Sequence, residues 1–476
     1  MQRSLDVKTC ETARLSRDAR FDGKFFTGVI TTGIFCRPIC PARPPKPENV
    51  QYYLSAEQAQ HAGFTPCKRC FPEQAAVKNL PIKLKRIIQS FDYKSDNLTT
   101  ISAKFAISTR QLQRLFQQYY GLSPSEYFQQ QRLLLARKLI STTKLSLSDI
   151  CFASGFNSVR RFNEAIKKAY QCSPKLLRKS KNIIKDNECL TINLPYRPPF
   201  DWSTMLTFFQ NRQIKGLEKV TSNSYQRSIS IDKCTGWLVI THHPKKPALT
   251  MKIVLSDYSY LSNVINRIRR MFDLDADMDL IHQQLSQHPL LKKIINQHQG
   301  LRLPGCWDIF EFSIRAILGQ QISVKGATTL AKRITEKYGQ QSPELPSETR
   351  LIFPSVEALL GVEYEGIGLT KTRIATLQRW VEFFELHHEK IENYPSLERL
   401  EKQLCEIKGI GPWTVNYLAM RGLSDPDAFP SADLGVIKAL SNNEKKISNK
   451  EILQLAEQWR PWRAYACIYL WHSLAH

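Results

Sequence analysis

Apolar residues recur at helical spacing through most of the stretch 80–181. In "LTTISAKFAISTRQLQRLFQQYYGLSP" they fall at Ile101, Phe105, Leu112, Leu115 and Phe116, which predicts two short helices with a turn at "AIST". Ser108 or Thr109 is placed to cap the second of them. The same order returns in "LSLSDICFASGFNSVRRFNEAIKKAYQCSP", with Gly155 in the turn, and a long helix, "PSEYFQQQRLLLARKLI", joins the two pairs. After the basic "RKSKNIIKD" at 178–186 the period shortens. "CLTINLPYRPPF", "YQRSISID" and "GWLVITHH" read as strands, which predicts a small α+β domain over 189–300. From Trp307 onward the pattern is helical again. No apolar run reaches membrane-spanning length, and "MQRSLDVKTCETARLSRDAR" lacks the apolar core of a secretory signal.

Composition narrows this. With 42% hydrophobic and 23% charged residues over 476 positions, the chain is globular, with length for about three domains. The net charge of +24 is unevenly placed: residues 1–181 carry 31 Lys and Arg against 12 Asp and Glu, the rest 36 against 31. A basic front implies a polyanionic partner held first by the N-terminal part; a basic surface kept for solubility is the plain alternative. A cytoplasmic setting is expected, where reduced, closely spaced cysteines favour a metal over a disulfide.

Of twelve cysteines, four form tight pairs, Cys36-x3-Cys40 and Cys67-x2-Cys70, the spacing of a tetrahedral thiolate zinc site. Others, such as Cys151, Cys172, Cys234 and Cys405, sit singly among apolar residues and read as small buried hydrophobes. Spacing alone leaves a purely structural zinc site open. The text around the pairs, "FDGKFFTGVITTGIFCRPICPARPPKPENVQYYLSAEQAQHAGFTPCKRCFP" at 21–72, closely resembles the methyl-accepting zinc domain of the Ada family. The resemblance implies that Cys36 takes a methyl group from an Sp methylphosphotriester in DNA, once and irreversibly. Cys40, Cys67 and Cys70 would complete the site of one Zn2+ with it. Zinc keeps Cys36 as the nucleophilic thiolate. Four thiolates on one zinc ion repel phosphates, so methylating one is expected to strengthen DNA binding without a new contact.

The two helix pairs resemble the DNA-binding domain of the AraC family. That resemblance implies recognition helices near 109–119 and 158–170, each reading a major groove. The candidates facing DNA are Arg110, Gln111, Gln113 and Arg114, then Asn157, Ser158, Arg160 and Arg161; a merely solvated polar face is the alternative.

Two motifs stand near the C-terminal end. In "LCEIKGIGPWTVNYLAMRG", residues 404–422, Gly409 and Gly411 permit a tight hairpin whose backbone N–H groups can cradle a phosphate. It resembles the helix-hairpin-helix of base-excision DNA glycosylases. "DPDAFPSADLGVIKAL", residues 425–440, follows at the family's distance, and resemblance to the AlkA-type alkylpurine glycosylases implies Asp433 as the catalytic carboxylate. An anion beside C1′ stabilises the positive charge that builds on the deoxyribose, and can orient or deprotonate a water. Asp425 and Asp427 read as loop or cap carboxylates. The Schiff-base lysine of strand-cleaving relatives is replaced by Trp413, which implies a monofunctional enzyme. No C-terminal four-cysteine cluster follows, so no iron–sulfur centre is expected, and the lack of a Pro-Cys-His-Arg sequence argues against O6-methylguanine methyltransferase activity.

Trp413 and Tyr417 share a helix face, and Trp471 lies in "YACIYLWHSLAH"; such aromatics are commonly core, but by resemblance they line the base pocket. Electron-rich rings would attract cationic alkylpurines, and a damaged base leaves the stack at lower cost. "AILGQQISVKGA" resembles the family segment that fills the vacated space, and the resemblance implies Gln321 at the wedge position, where some relatives carry an apolar residue.

The expected architecture is multidomain and mainly α with α+β parts. It comprises a small four-cysteine zinc α/β domain (1–79), an all-α double helix-turn-helix of AraC type (80–181), an AlkA N-terminal α+β domain (189–300) and an all-α helix-hairpin-helix glycosylase domain (301–476). The implied partners are alkylated and promoter double-stranded DNA and RNA polymerase, with no membrane and a monomeric chain. A regulator whose glycosylase part only binds DNA is the main alternative.

Overall fold

The computed structural model describes residues 6–18, 21–67, 69, 70, 72, 80–93, 95–170, 172–179, 189–441 and 447–474. The basic stretch at 178–186 therefore lies, from residue 180 on, outside the described residues. The chain divides into two units, one of residues 1–187 with 257–266, the other of 188–256 with 267–476. It is multidomain and helix-rich with sheet parts. No helix among the described residues is long and apolar enough to cross a membrane.

After helix Val7–Leu15 the first unit forms a four-stranded sheet. Strand Phe26–Val29 pairs antiparallel with Ile34–Cys36 on one side and Val50–Tyr53 on the other, and Ile34–Cys36 runs parallel to the two-residue strand Thr65–Pro66. Phe26, Phe35, Ala56 and Ala59 form its small core against helix Ala56–His61. A second small cluster of Cys10, Ala13 and Phe25 packs nearby, and cores of this size gain from a metal or similar staple. The helices follow, and the spacing that predicted them holds. Leu98–Lys104 and Thr109–Tyr120 make the first pair, Leu147–Ala153 and Val159–Tyr170 the second, with Pro124–Thr142 between. Ile101, Phe105, Leu112 and Phe116 are buried in one core. Of the two capping candidates it is Ser108 that caps, accepting from the Gln111 backbone N–H while the Gln111 side chain accepts from Ser108 N–H.

The second unit opens on a five-stranded antiparallel sheet. Its order is Leu190–Pro195, Ala248–Leu255, Cys234–His242, Ser224–Ile231, Glu218–Val220. The other core is helical, and helices Met278–Leu285 and Pro289–Gln297 belong to it: Ile281, Leu285, Leu291 and Ile294 are buried with Trp459 and Leu470. A buried ion quartet lies in this unit. Arg227, on strand Ser224–Ile231, reaches Glu311 at 2.8 Å and Glu218 at 3.7 Å, and Arg315 pairs with the same two carboxylates. Breaking such a pair strands a buried charge, so Arg227→Met is expected to destabilise the unit by about 3–5 kcal/mol. All eight tryptophans lie beyond residue 200, so the urea midpoint followed by their fluorescence reports this unit alone. An unchanged midpoint would show the quartet to be dispensable.

Two single cysteines depart from expectation. Cys151 and Cys234 are buried, but Cys172 and Cys405 are only half-buried, because each sits just past a helix end rather than inside a core.

Candidate metal centre and candidate active site

Four sulfurs converge at one end of the first sheet. Cys36 ends strand Ile34–Cys36, Cys40 lies just beyond a turn closed by its N–H to the Arg37 carbonyl, and Cys67 follows Thr65–Pro66, its N–H donating to the Phe35 carbonyl at 3.0 Å. Their Sγ atoms and that of Cys70 all lie within 4.8 Å of one another, with Cys40 and Cys67 at 4.0 Å. A tetrahedral zinc site with about 2.3 Å bonds needs sulfurs about 3.8 Å apart, which Cys40 and Cys67 approach, so the cluster fits Zn2+. Backbone N–H groups of Arg37 and Arg69 donate to Cys70 and Cys67 sulfurs at 3.4 Å, as donors do to thiolates. Left to themselves the sulfurs compete for protons: a hydrogen bond to Cys70 and burial push the Cys36 thiol far up, while the bond from Cys36 draws Cys70 down to about 6. A divalent cation is what lets all four be thiolates. Cys36 and Cys40 are half-exposed, Cys67 and Cys70 buried.

On the helix pairs, Arg110, Gln113 and Arg114 and, in the second, Asn157, Arg160 and Arg161 are exposed. Gln111 is exposed but its side chain is turned back as a cap, Ser158 faces the Arg161 N–H, and Arg160 pairs with Glu164 at 3.1 Å. All three partners lie three or four positions away, the spacing at which neighbours on a helix meet.

The second unit holds a cleft of about 1290 Å³ lined by, among others, Gln321, Gly409, Trp413, Tyr417, Asp433 and Trp471. Helix Leu397–Leu404 leads into the hairpin, where Gly409 takes φ +101° and stands so close to Thr376 that a Cβ would lie 2.1 Å from its Oγ1. Only glycine fits there. Gly411 caps helix Pro412–Tyr417. The ring of Trp413 stacks on Tyr417, centroids 5.1 Å apart, and Trp471, from helix Arg463–Ser473, meets Tyr417 edge-on at 6.2 Å. Asp433 caps helix Leu434–Leu440; its Oδ2 accepts from Trp413 Nε1 at 3.0 Å and its Oδ1 from Trp471 Nε1 at 2.8 Å. Gln321 is exposed at φ +58° in the turn after helix Ile309–Leu318. By contrast Asp425 is buried, accepting from the Tyr394 hydroxyl, and Asp427 pairs with Arg460 and Arg463.

Several neighbours escaped the sequence. Gln320 Nε2 donates to the Gly409 carbonyl and to Thr414 Oγ1, both at 3.0 Å, bracing the hairpin, and Arg373 donates to the Gln320 carbonyl at 2.6 Å. Nothing in the pattern marks Gln320 apart from Gln321. The electron-rich character expected of the cleft also needs correction. Arg421 donates to the Tyr417 hydroxyl at 2.8 Å and lies over the rings of Phe312 and Tyr417, and Arg212, 205 residues before Tyr417, stacks on Phe208. Burial raises the Tyr417 phenol, but the two guanidiniums outweigh it and hold it below its ordinary value. Tyr417 thus already serves two cations.

Residues 9–73 match the metal-binding domain of Ada, 101–180 a helix-turn-helix domain and 191–308 the AlkA N-terminal domain. A relative from Mycobacterium tuberculosis, the probable bifunctional transcriptional activator/DNA repair enzyme AlkA, is 33% identical over 483 residues, covering 99% of this chain and 97% of its own. DNA-3-methyladenine glycosylase 2 of Escherichia coli is 30% identical over 288 residues, 59% of this chain and 96% of that protein. Among solved structures, 3-methyladenine DNA-glycosylase from Archaeoglobus fulgidus covers 59% of this chain and 97% of its own at a TM-score of 0.52; at 23% identity it speaks for the fold alone. Similarity that runs nearly end to end, across both units, makes this chain a member of the family of bifunctional transcriptional activator/DNA repair enzymes that join an Ada-type zinc and helix-turn-helix front to an AlkA-type glycosylase.

Proposed function

We propose that the protein senses and repairs alkylated DNA. At the front, the half-exposed Cys36 thiolate attacks the methyl carbon of a methylphosphotriester: an S–CH3 bond forms, the CH3–O bond breaks, and the phosphodiester anion leaves. When bound, zinc supplies charge that keeps the sulfurs deprotonated. Cys40, Cys67 and Cys70 hold the site, and loss of one negative charge tightens the grip on promoter DNA, read through Arg110, Gln111, Arg114, Arg160 and Arg161. At the back, the protein is a DNA-3-methyladenine glycosylase. The alkylated base turns out of the duplex into the cleft between Trp413, Tyr417 and Trp471, Gln321 takes its place, and Gly409 and Gly411 hold the backbone. Asp433 stabilises the sugar cation as the N-glycosidic bond breaks and water adds at C1′. Domain limits at 79/80, near 181–189 and near 300, RNA polymerase as partner, a monomeric state and a cytoplasmic location belong to the same reading.

The observation that carries it is the meeting of Asp433 with two indole N–H groups in an aromatic cleft beside a glycine hairpin. Trp413 in place of an amine supports monofunctional hydrolysis. Incubated with duplex DNA treated with dimethyl sulfate, the protein is expected to release free 3-methyladenine and to give no covalent adduct on borohydride reduction. Trapped adduct would convert it to a lyase; no base release would favour a binding-only domain.

A further inference from the structure

The carboxylate of Asp433 is surrounded unequally. Oδ1 accepts three N–H donors, Trp471 Nε1 at 2.8 Å, Gly435 N at 2.8 Å and Val436 N at 3.2 Å; Oδ2 accepts one, Trp413 Nε1 at 3.0 Å. Among the described residues Oδ2 alone keeps acceptor capacity to face a substrate. The Trp471 bond spans 38 residues of sequence and exists because of a gap in the side chains. A Cβ built on Gly435 would lie 2.8 Å from Trp471 Cδ1, 3.1 Å from Trp471 Nε1 and 3.0 Å from Asp433 Oδ1. The first of these is closer than van der Waals radii allow, and the other two are tighter than ordinary contact. Neither partner can yield easily. Asp433 is tied to the backbone of its own helix, and the indole is carried by helix Arg463–Ser473, where Tyr465, Ala466, Tyr469 and Leu470 are locked in the core.

We infer that Gly435 and Trp471 are positioning residues for the glycosylase: the missing side chain at 435 admits the indole, whose N–H pins Oδ1 and leaves Oδ2 aimed at the developing sugar cation. This rests on the reading of Asp433 as the catalytic carboxylate. Trp471 then serves the carboxylate as well as walling the base pocket. A preorganised anion needs no reorganisation as charge develops, which is where an electrostatic catalyst gains most. Gly435 does not occupy the left-handed region, so alanine is permitted by the backbone there. Alanine also favours the helix over glycine. The unfavourable consequences of the change are therefore confined to the indole and the Asp433 Oδ1 that it binds, and stability and rate are expected to move apart.

The test measures single-turnover release of 3-methyladenine from dimethyl sulfate-treated duplex by the full chain and by its Gly435→Ala, Trp471→Phe, doubly substituted and Asp433→Asn forms. Phenylalanine keeps a ring in place and removes the N–H. Each single change at 435 or 471 is expected to slow release about 10- to 100-fold, the worth of one hydrogen bond to a charged group. Affinity for the alkylated duplex should change less than about twofold. The double variant should be no slower than the slower single one, since both remove the same contact. In a ¹H–¹⁵N spectrum the Trp471 indole resonance, identified by its loss in Trp471→Phe, should move upfield in Gly435→Ala. Losses that multiply in the double variant, or wild-type rates with an unmoved indole signal, would overturn the inference while Asp433→Asn remains strongly slowed. An active Asp433→Asn protein would overturn the reading of Asp433 itself, and is told apart by that rate alone.

Discussion

Asp433→Asn is expected to slow base release about 10²- to 10³-fold, the scale on which one preorganised charge acts in a water-poor site. The substitution keeps the size of the side chain and removes its charge. It also puts an NH2 where the structure has only an acceptor. All four groups around the carboxylate are N–H donors, two indoles and two backbone amides. If the amide oxygen takes the place of Oδ1, its NH2 confronts the Trp413 N–H, and one donor goes without an acceptor. A loss of about 1–3 kcal/mol in stability should accompany the loss of rate. Tryptophan fluorescence during urea unfolding measures the second, and chromatography of released base the first. A variant that excises at the native rate would refute the catalytic assignment. A variant as stable as the parent would refute the hydrogen-bond geometry.

The second large effect is at the other end of the chain. Cys36→Ala is expected to abolish methyl uptake from methylphosphotriester DNA altogether, since the remaining sulfurs occupy other corners of the cluster. Its consequence for DNA binding follows from charge. One elementary charge several ångströms from a phosphate is worth about 1–2 kcal/mol at an effective dielectric between those of protein and water, roughly tenfold in affinity. Methylation of the parent should therefore tighten promoter binding by about tenfold at low salt and by less as salt rises. The alanine variant has already lost that negative charge. With its metal retained, it should bind as the methylated parent does and show no further gain on exposure to methylated DNA. Native mass spectrometry establishes metal content, and titration of a labelled duplex at low and physiological salt reads the affinity. A parent whose affinity ignores methylation, or a metal-loaded variant as weak as the unmethylated parent, would sink the charge argument.

Much of this molecule was legible where its determinants are local. The two cysteine pairs are each set by a turn, so their spacing announces convergence, and the four sulfurs do meet. The helix pairs are set by period, and Ile101, Phe105, Leu112 and Phe116 are buried as that period requires. Caps are local too, which is why Ser108 could be proposed, though the choice against Thr109 needed coordinates. Strand Ala248–Leu255 alternates weakly and went unread, since its place in the sheet comes from pairing with Leu190–Pro195 and Cys234–His242. The helices at 278–297 carry the period but give no hint of which core they join.

Chemistry was legible only as residue types. That Trp413 and Tyr417 share a face follows from helical geometry, whereas their stacking on the side where Asp433 caps another helix does not. Arg421 could have been suspected, four positions after Tyr417 on the same face, but Arg212 and Gln320 could not.

By itself the sequence determined the kinds of element, the metal-binding and glycosylase motifs, and the family to which they belong. These depend on spacings of a few residues, which covalent geometry and helical period convert directly into proximity. Tertiary structure alone decided which oxygen of Asp433 is bound by which indole, and that two guanidiniums stand behind the aromatic cleft. It also decided that a glycine two places beyond the carboxylate makes room for a tryptophan of a separate helix. Apart from Arg421 and Tyr417, those contacts join residues tens to hundreds of positions apart. Their energies are set by how whole helices pack, and no local pattern encodes that.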